Sequence, residues 1–221
     1  TEELSKILSA CHESNQPIVV HGGLTGLVYG TRSTQDQLVI SLERMNQIED
    51  VDLIGRTITC QSGTTLQTIQ EMAEENNMMF PLDLGARGSC SIGGNIATNA
   101  GGNRVIRYGM MRDSVLGLEA VLADGTVLTS MNTMIKNNAG YDLKQLFIGT
   151  EGTLGIITRC VLRLREAPLS QNTGLVALEN LDSVIRFLKI VDSKLGGNMS
   201  AFEVMWHEFY KMVVDPKEKS S

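Results

Sequence analysis

Between Pro81 and Asn103 the chain reads PLDLGARGSCSIGGNIATNAGGN, and Gly85 to Gly102 packs six glycines, two serines and one threonine into eighteen residues. Glycine weakens the interior of a helix or strand and frees the main chain for positive φ and close approach to a ligand. Successive amides in such turns form concave nests that hold anions. The run is therefore expected to be neither a packed helix nor a central strand. It reads as backbone wrapped around a phosphate-bearing cofactor.

Two further glycine clusters accompany it. Gly22-Gly23-Leu24-Thr25-Gly26 directly follows the short apolar strand Ile18-Val19-Val20, and Gly149-Thr-Glu-Gly-Thr-Leu-Gly155 lies much later. Counting their spacing excludes two phosphate loops. No two glycines are separated by a single residue, so the dinucleotide fingerprint Gly-x-Gly-x-x-Gly does not occur. No glycine is followed by lysine, which removes the Walker A loop. Each cluster alone reads as a turn. Three loops converging on one elongated ligand suit a dinucleotide lying between two subdomains.

Other classes are excluded by composition. A net charge of −6 opposes a nucleic-acid surface, which needs a basic stripe. No apolar run approaches membrane-span length, and the amino terminus lacks a charged-then-apolar signal pattern. Cys11, Cys60, Cys90 and Cys160 form no Cys-x-x-Cys pair and read as free thiols of a reducing compartment. The three histidines, His12, His21 and His207, have no metal-ligand spacing.

The local pattern predicts an α+β chain. A helix is expected over Glu2–Asn15 with Leu4, Ile7, Leu8 and Cys11 on one face, and strands over 18–20, 37–42 and 57–61. Thr64 is expected to cap a helix running to Asn76. Val115–Leu122 and Val127–Leu128 read as strands joined by an Asp124-Gly125 hairpin turn. Leu154–Leu164 reads as a long strand, followed by a boundary near Pro168. Beyond it lie a strand over 173–178, a helix over 181–195, a strand over 201–204 and a loose, solvated tail from Pro216. This gives a first domain over 1–167 and a partial second domain over 168–221, too short to bury its own core.

The strings Val19-Val-His-Gly-Gly-Leu-Thr-Gly-Leu27, Pro81 to Asn103, Tyr108-Gly-Met-Met-Arg-Asp-Ser-Val-Leu-Gly-Leu-Glu119 and Phe147-Ile-Gly-Thr-Glu-Gly-Thr-Leu-Gly-Ile-Ile157 resemble the FAD-binding domain of the vanillyl-alcohol-oxidase (PCMH) type. More narrowly, they resemble FAD-linked D-2-hydroxy-acid dehydrogenases acting on D-lactate, glycolate or D-2-hydroxyglutarate. The resemblance runs from Ile18 to about Leu164 and implies a two-subdomain α+β FAD-binding domain followed by the start of an α+β cap. It implies that Gly22, Gly23, Leu24, Thr25, Gly26 and Leu27 bind the FAD pyrophosphate. Gly85, Ser89 and Ser91 would pass the flavin ring and ribityl chain, and Thr98, Asn99 and Gly101 would form a further contacting turn. Glu151, Gly152, Gly155, Ile156 and Ile157 would hold the adenine or flavin edge through main-chain groups. The chain departs from the family where Leu24 replaces a small or polar residue and where Tyr29 replaces glycine. Tyr29 is expected to fill a core gap.

The implied reaction is hydride transfer from a D-2-hydroxy acid to flavin, giving the 2-oxo acid. FAD is expected to be non-covalent, because His21 precedes the glycine pair whereas the tethering histidine of related enzymes follows it. His21 is expected to be a buried or hydrogen-bonded loop residue, His12 to be solvated, and His207 to sit in an amphipathic packing segment. No residue here is expected to bind metal or to be catalytic; the family's divalent metal and its histidine ligands belong downstream of Ser221. Arg87, Arg104, Arg107 and Arg112 are each chemically suited to a substrate carboxylate, and none is singled out. The expected partners are a small 2-hydroxy acid and an electron acceptor, a quinone or electron-transfer flavoprotein, in the cytoplasm or mitochondrial matrix. The rival reading is a non-catalytic FAD-binding subunit whose partner supplies the cap.

Overall fold

In the computed structural model residues 1–214 are described. The chain opens with helix α1 (Glu2–Glu13), then strands β1 (Ile18–His21) and β2 (Leu38–Ser41), which pair in parallel with Ile18 opposite Leu38. Leu4, Leu8 and Cys11 of α1 are buried, whereas Ile7 is 43% exposed and does not join that face. Strands β3 (Ile48–Asp52) and β4 (Thr57–Gln61) follow, then helix α2 (Leu66–Glu75) and strand β5 (Met78–Met79). The cap of α2 is Thr65, whose Oγ1 accepts from Thr68 N–H at 3.2 Å, not Thr64. Thr64 lies one residue too early for that geometry and is buried.

The glycine-rich run is not all loop. Helix α3 (Ile92–Ala97) forms inside it, capped by Ser91, whose side chain accepts from Gly94 N–H. Ile92 and Ile96 stand one turn apart and both are fully buried. Their burial supplies what glycine's poor helix propensity lacks. Gly93 allows the close approach: a Cβ there would lie 2.6 Å from Ser62 Cβ and 3.0 Å from its carbonyl oxygen.

A short helix α4 (Val105–Tyr108) and a 3-10 turn (Met111–Ser114) lead into β6 (Val115–Val121) and β7 (Val127–Ser130). The Asp124-Gly125 turn joins them as the sequence predicts, with Val121 opposite Val127 and Gly125 at φ +88°. Helix α5 (Lys144–Phe147) precedes β8 (Ile156–Arg163) and β9 (Arg165–Glu166), and β9 pairs with β5. The main sheet has the order β3-β4-β8-β6-β7 and is antiparallel throughout. β8 sits at its centre and is buried along most of its length, as a strand covered on both sides must be.

Two apolar clusters hold these elements. The larger joins the sheet to α2 and α3 through Ile58, Leu66, Ile69, Ile92, Ile96 and Leu162. The smaller seats α1 and β2 on Val121 and Ile156 through Leu4, Leu8, Ile40 and Leu42. Across the sheet, Arg159 pairs with Glu49 at 2.6 Å and Glu119 at 3.4 Å, tying β3, β8 and β6 together.

The region after Pro168 departs from expectation. Residues 173–178 and 201–204 are not strands. A strand needs a hydrogen-bonding neighbour, and neither segment has one among the described residues. Helix α6 (Leu181–Leu195) forms as predicted, capped by Asn180 and ended by left-handed Gly196. His207 opens helix α7 (His207–Val214), which has no buried residue, while Phe202 ahead of it is half-buried with its ring 6.3 Å from that of Phe187. The tail from Pro216 lies outside the described residues.

All four cysteines are free and buried. Cys60 and Cys160 face each other across β4 and β8 with Sγ atoms 3.7 Å apart. The hydrogen bond shared with Cys60, together with burial, pushes the Cys160 thiol well above its ordinary pKa. Thiolate is the nucleophile, so a thiol-specific disulfide reagent at pH 8 is expected to leave both core thiols unlabelled until denaturant is added. Rapid labelling of either under native conditions would contradict this packing.

Candidate functional site

The Gly22–Leu24 loop leaves the end of β1 and meets the long glycine-rich run. A Cβ on Gly22 would overlap Ser91 Oγ, and one on Gly23 would overlap the Ser89 carbonyl and lie 2.7 Å from Cys90 Cα. Only glycine allows these two backbones to touch. Between them opens a cavity of about 500 Å³ lined by Gly22, Gly23, Leu24, Ser89 and Ser91. It is also lined by Glu43, Asn46, Gly63, Thr64, Thr65 and Thr68, none of them anticipated from sequence. The signal was present in Ser62-Gly63-Thr64-Thr65, a glycine turn between strand β4 and helix α2 that repeats the strand-then-glycine logic of the first loop.

The cavity wall carries main-chain groups and hydroxyls together with one carboxylate, Glu43, and no basic side chain. The Thr65 cap of α2 and the Ser91 cap of α3 border it and are joined by an isolated bridge, while the first-turn N–H groups of both helices donate within the protein, Leu66 to Cys90 O, Gln67 to Arg87 O, Ile92 to Thr64 O and Gly93 to Ser62 O. The main-chain N–H groups of Gly22 through Leu27 donate to no main-chain acceptor among the described residues. Such free amides suit phosphate oxygens. Thr25, Gly26 and Leu27 extend this loop into solvent, and Leu27 is 92% exposed.

Two non-glycine residues of the loop, Leu24 at φ +55° and Tyr29 at φ +61°, are left-handed. These are the two positions at which the sequence departs from the resemblance drawn above. Tyr29 does not fill a core gap: it is 71% exposed and stacks under Arg32 at 5.0 Å. His21 is hydrogen-bonded, with Nε2 2.9 Å from the Thr31 carbonyl, and His12 is exposed.

None of the other predicted residues lines this cavity. Thr98 caps the end of α3, and left-handed Asn99 accepts the Arg112 main-chain N–H at 2.9 Å. Gly101 packs on Met110, where a Cβ would lie 2.9 Å from Sδ. The third cluster joins α3 through Gly149 N–H to Ile96 O at 3.1 Å and Glu151 N–H to Ala97 O at 2.9 Å. A Cβ on Gly30 would lie 3.1 Å from Glu151 Oε2, and one on Gly152 would lie 3.9 Å from Val20 Cγ2, so this cluster adjoins the first loop and β1. Gly155 is buried against Val121, and the Ile156 and Ile157 side chains belong to the core, leaving only their main chain for a ligand. Gly85 is exposed with open space around it.

Three of the four arginines considered for a carboxylate are engaged elsewhere. Arg104 lies 3.6 Å from Asp83, Arg107 reaches Asn198 at 3.2 Å, and Arg112 binds carbonyl oxygens. Arg87 is exposed beside Ser89. Ahead of the third cluster, the Lys144 ammonium donates to both Asp142 oxygens, at 2.6 and 2.7 Å, and holds that carboxyl below its ordinary range. Among the described residues no helix is long and apolar enough to cross a membrane.

Comparison with known proteins identifies the chain's family and relatives. The chain is 45% identical over 213 residues to a mitochondrial D-2-hydroxyglutarate dehydrogenase of Bos taurus, covering 96% of this chain and 39% of that protein. It is 43% identical to a putative mitochondrial D-lactate dehydrogenase of Schizosaccharomyces pombe, covering 93% of this chain and 39% of that one. It is 38% identical to a D-2-hydroxyglutarate–pyruvate transhydrogenase of Saccharomyces cerevisiae, covering 93% and 41%. The chain thus spans about two fifths of the length of these relatives. Among solved structures, an alkyldihydroxyacetonephosphate synthase superposes with a TM-score of 0.68 at 25% identity, covering 76% of this chain and 31% of that one. The resemblance to FAD-linked D-2-hydroxy-acid dehydrogenases and the α+β, PCMH-type fold both hold. A family model described as FAD binding domain matches residues 1–130, more than half of the chain, and the chain belongs to that family.

Proposed function

We propose that this chain is the FAD-holding part of a flavin-dependent dehydrogenase that oxidises a D-2-hydroxy acid to the 2-oxo acid. The observation that carries the reading is the cavity between Gly22–Leu24, the capped start of α2 and the Ser89–Ser91 segment. The unpaired main-chain amides of the first loop, the lining Ser and Thr hydroxyls and the glycine-only approach support a diphosphate there. In this reading the Thr98–Gly101 turn and the Gly149–Gly155 loop, which hydrogen-bond to each other's neighbourhood through α3, hold the rest of the dinucleotide. When bound, the flavin would supply the hydride acceptor; the residues described here would hold and orient it.

The His21 ring already bonds the Thr31 carbonyl, which supports non-covalent FAD. Residues 1–167 form the FAD-binding domain in this reading, and 168–221 begin the substrate cap. β8 and β9 support that division, because they complete the sheets beyond residue 130. The relatives' names favour D-2-hydroxyglutarate over D-lactate, with glycolate less supported, and favour the mitochondrial matrix. Electrons then pass to a quinone or an electron-transfer flavoprotein, and any divalent metal belongs to the cap.

The test is reconstitution of the full-length protein with FAD, followed by anaerobic addition of the D- and L-isomers of 2-hydroxyglutarate and lactate, and of achiral glycolate. A bound-flavin absorbance that bleaches with a D-hydroxy acid and is released on acid precipitation is expected. Failure to retain flavin would overturn the reading. Flavin retained without bleaching by any of these acids would favour a non-catalytic FAD-binding subunit.

A further inference from the structure

Arg112 stands outside the glycine clusters yet joins two of them. It lies in the 3-10 turn Met111–Ser114. Its main-chain N–H donates to Asn99 Oδ1 at 2.9 Å, fixing the turn that follows α3. Its Nη1 donates to the Gln145 carbonyl at 2.9 Å and to Gln145 Oε1 at 2.6 Å, and its Nη2 donates to the Ile148 carbonyl at 2.6 Å. Ile148 immediately precedes Gly149, where an added Cβ would lie 3.7 Å from Nη2 and 3.5 Å from Asn99 Cβ.

All three acceptors of the guanidinium are neutral carbonyl oxygens on one short stretch of chain. An arginine bound this way uses its rigid planar fork more than its charge. A lysine there would keep the charge but, as a single flexible ammonium, could not hold the same oxygens in one plane. Without the fork, the Gly149–Gly155 loop would be held to α3 by the Gly149 and Glu151 amide bonds.

We propose that Arg112 is a positioning residue that locks the Gly149–Gly155 loop to the Thr98–Gly101 turn, so that both present their main chains to the cofactor in one fixed arrangement. The assignment rests on the FAD reading above. Arg112 touches no cofactor in it; it acts through the carbonyls and through Asn99.

The experiment compares full-length wild type, R112Q, R112K and R159Q by FAD titration of the apo protein, apo melting temperature and visible circular dichroism of the bound flavin. Arg159 serves as the structural control, because it ties strands together outside the site. R112Q is expected to raise the FAD Kd about tenfold or more, the size of one charge-assisted hydrogen bond, and to alter the flavin dichroism. R112K is expected to fail to restore either. R159Q is expected to lower the apo melting temperature while leaving the FAD Kd within about twofold. Wild-type affinity and dichroism in R112Q, recovery in R112K, or an equal affinity loss in R159Q would each overturn the assignment. Absence of FAD binding by the wild type would instead overturn the FAD reading itself.

Discussion

Gly23→Ala is expected to abolish tight cofactor retention. The new methyl would overlap the Ser89 carbonyl and come within 2.7 Å of Cys90 Cα and 2.8 Å of Ser89 C. These are main-chain atoms of a segment anchored on both sides, by Cys90 N–H to Ala86 O at 2.8 Å and Leu66 N–H to Cys90 O at 3.1 Å. Neither side can yield by a rotamer change, so the two walls of the cavity must separate. Overpacking of this kind costs about 1–3 kcal/mol. Expressed in binding, that is roughly 5- to 150-fold in FAD Kd, with more if the amide nest is lost as a unit. Gly26→Ala provides the contrast: nothing lies within 4 Å of its Cβ position, so its apo melting temperature is expected to match wild type. FAD titration and apo melting of both variants check the pair, and wild-type FAD affinity in Gly23→Ala would show that the first loop does not form the site.

Much of this site was legible because its signals are local. The first glycine cluster sits at a strand end, and Ser89 and Ser91 lie in a run whose composition marks it out. Gly125 at a hairpin and Gly196 at a helix end obey turn and cap rules that need no tertiary knowledge. What was missed depends on contacts distant in sequence. Glu43 and Asn46 reach the cavity only because β2 lies parallel to β1, and nothing in their own stretch says so. Gly93 lies in the run whose composition points to a ligand, and Gly63 was not singled out at all, yet both serve packing. Gly63 meets the Leu42 and Met45 carbonyls, and Gly93 lets α3 lie on Ser62. The apolar stretches at 173–178 and 201–204 carried strand composition without a neighbour to pair with, and composition does not reveal a partner.

Ile96→Ala is expected to be the most destabilising substitution in the glycine-rich run, and it separates the two views of that run. If the segment were only a cofactor-wrapping loop, its single isoleucines would be incidental, and truncation would change stability by no more than about 0.5 kcal/mol. The structure instead buries Ile96 completely, one helical turn from equally buried Ile92, against the face of the main sheet. Deleting a fully buried isoleucine side chain down to alanine costs about 2–5 kcal/mol, because neighbours collapse only partly into the space. Here collapse is restricted further: the Ile96 carbonyl accepts both Gly149 N–H at 3.1 Å and Asn99 N–H at 2.9 Å, so α3 cannot sink toward the sheet without straining the third glycine loop. The loss should therefore fall toward the upper part of that range and appear in urea denaturation of the apo protein, without cofactor. An unfolding midpoint equal to wild type would place Ile96 outside the core and return the run to the loop that its glycines suggest.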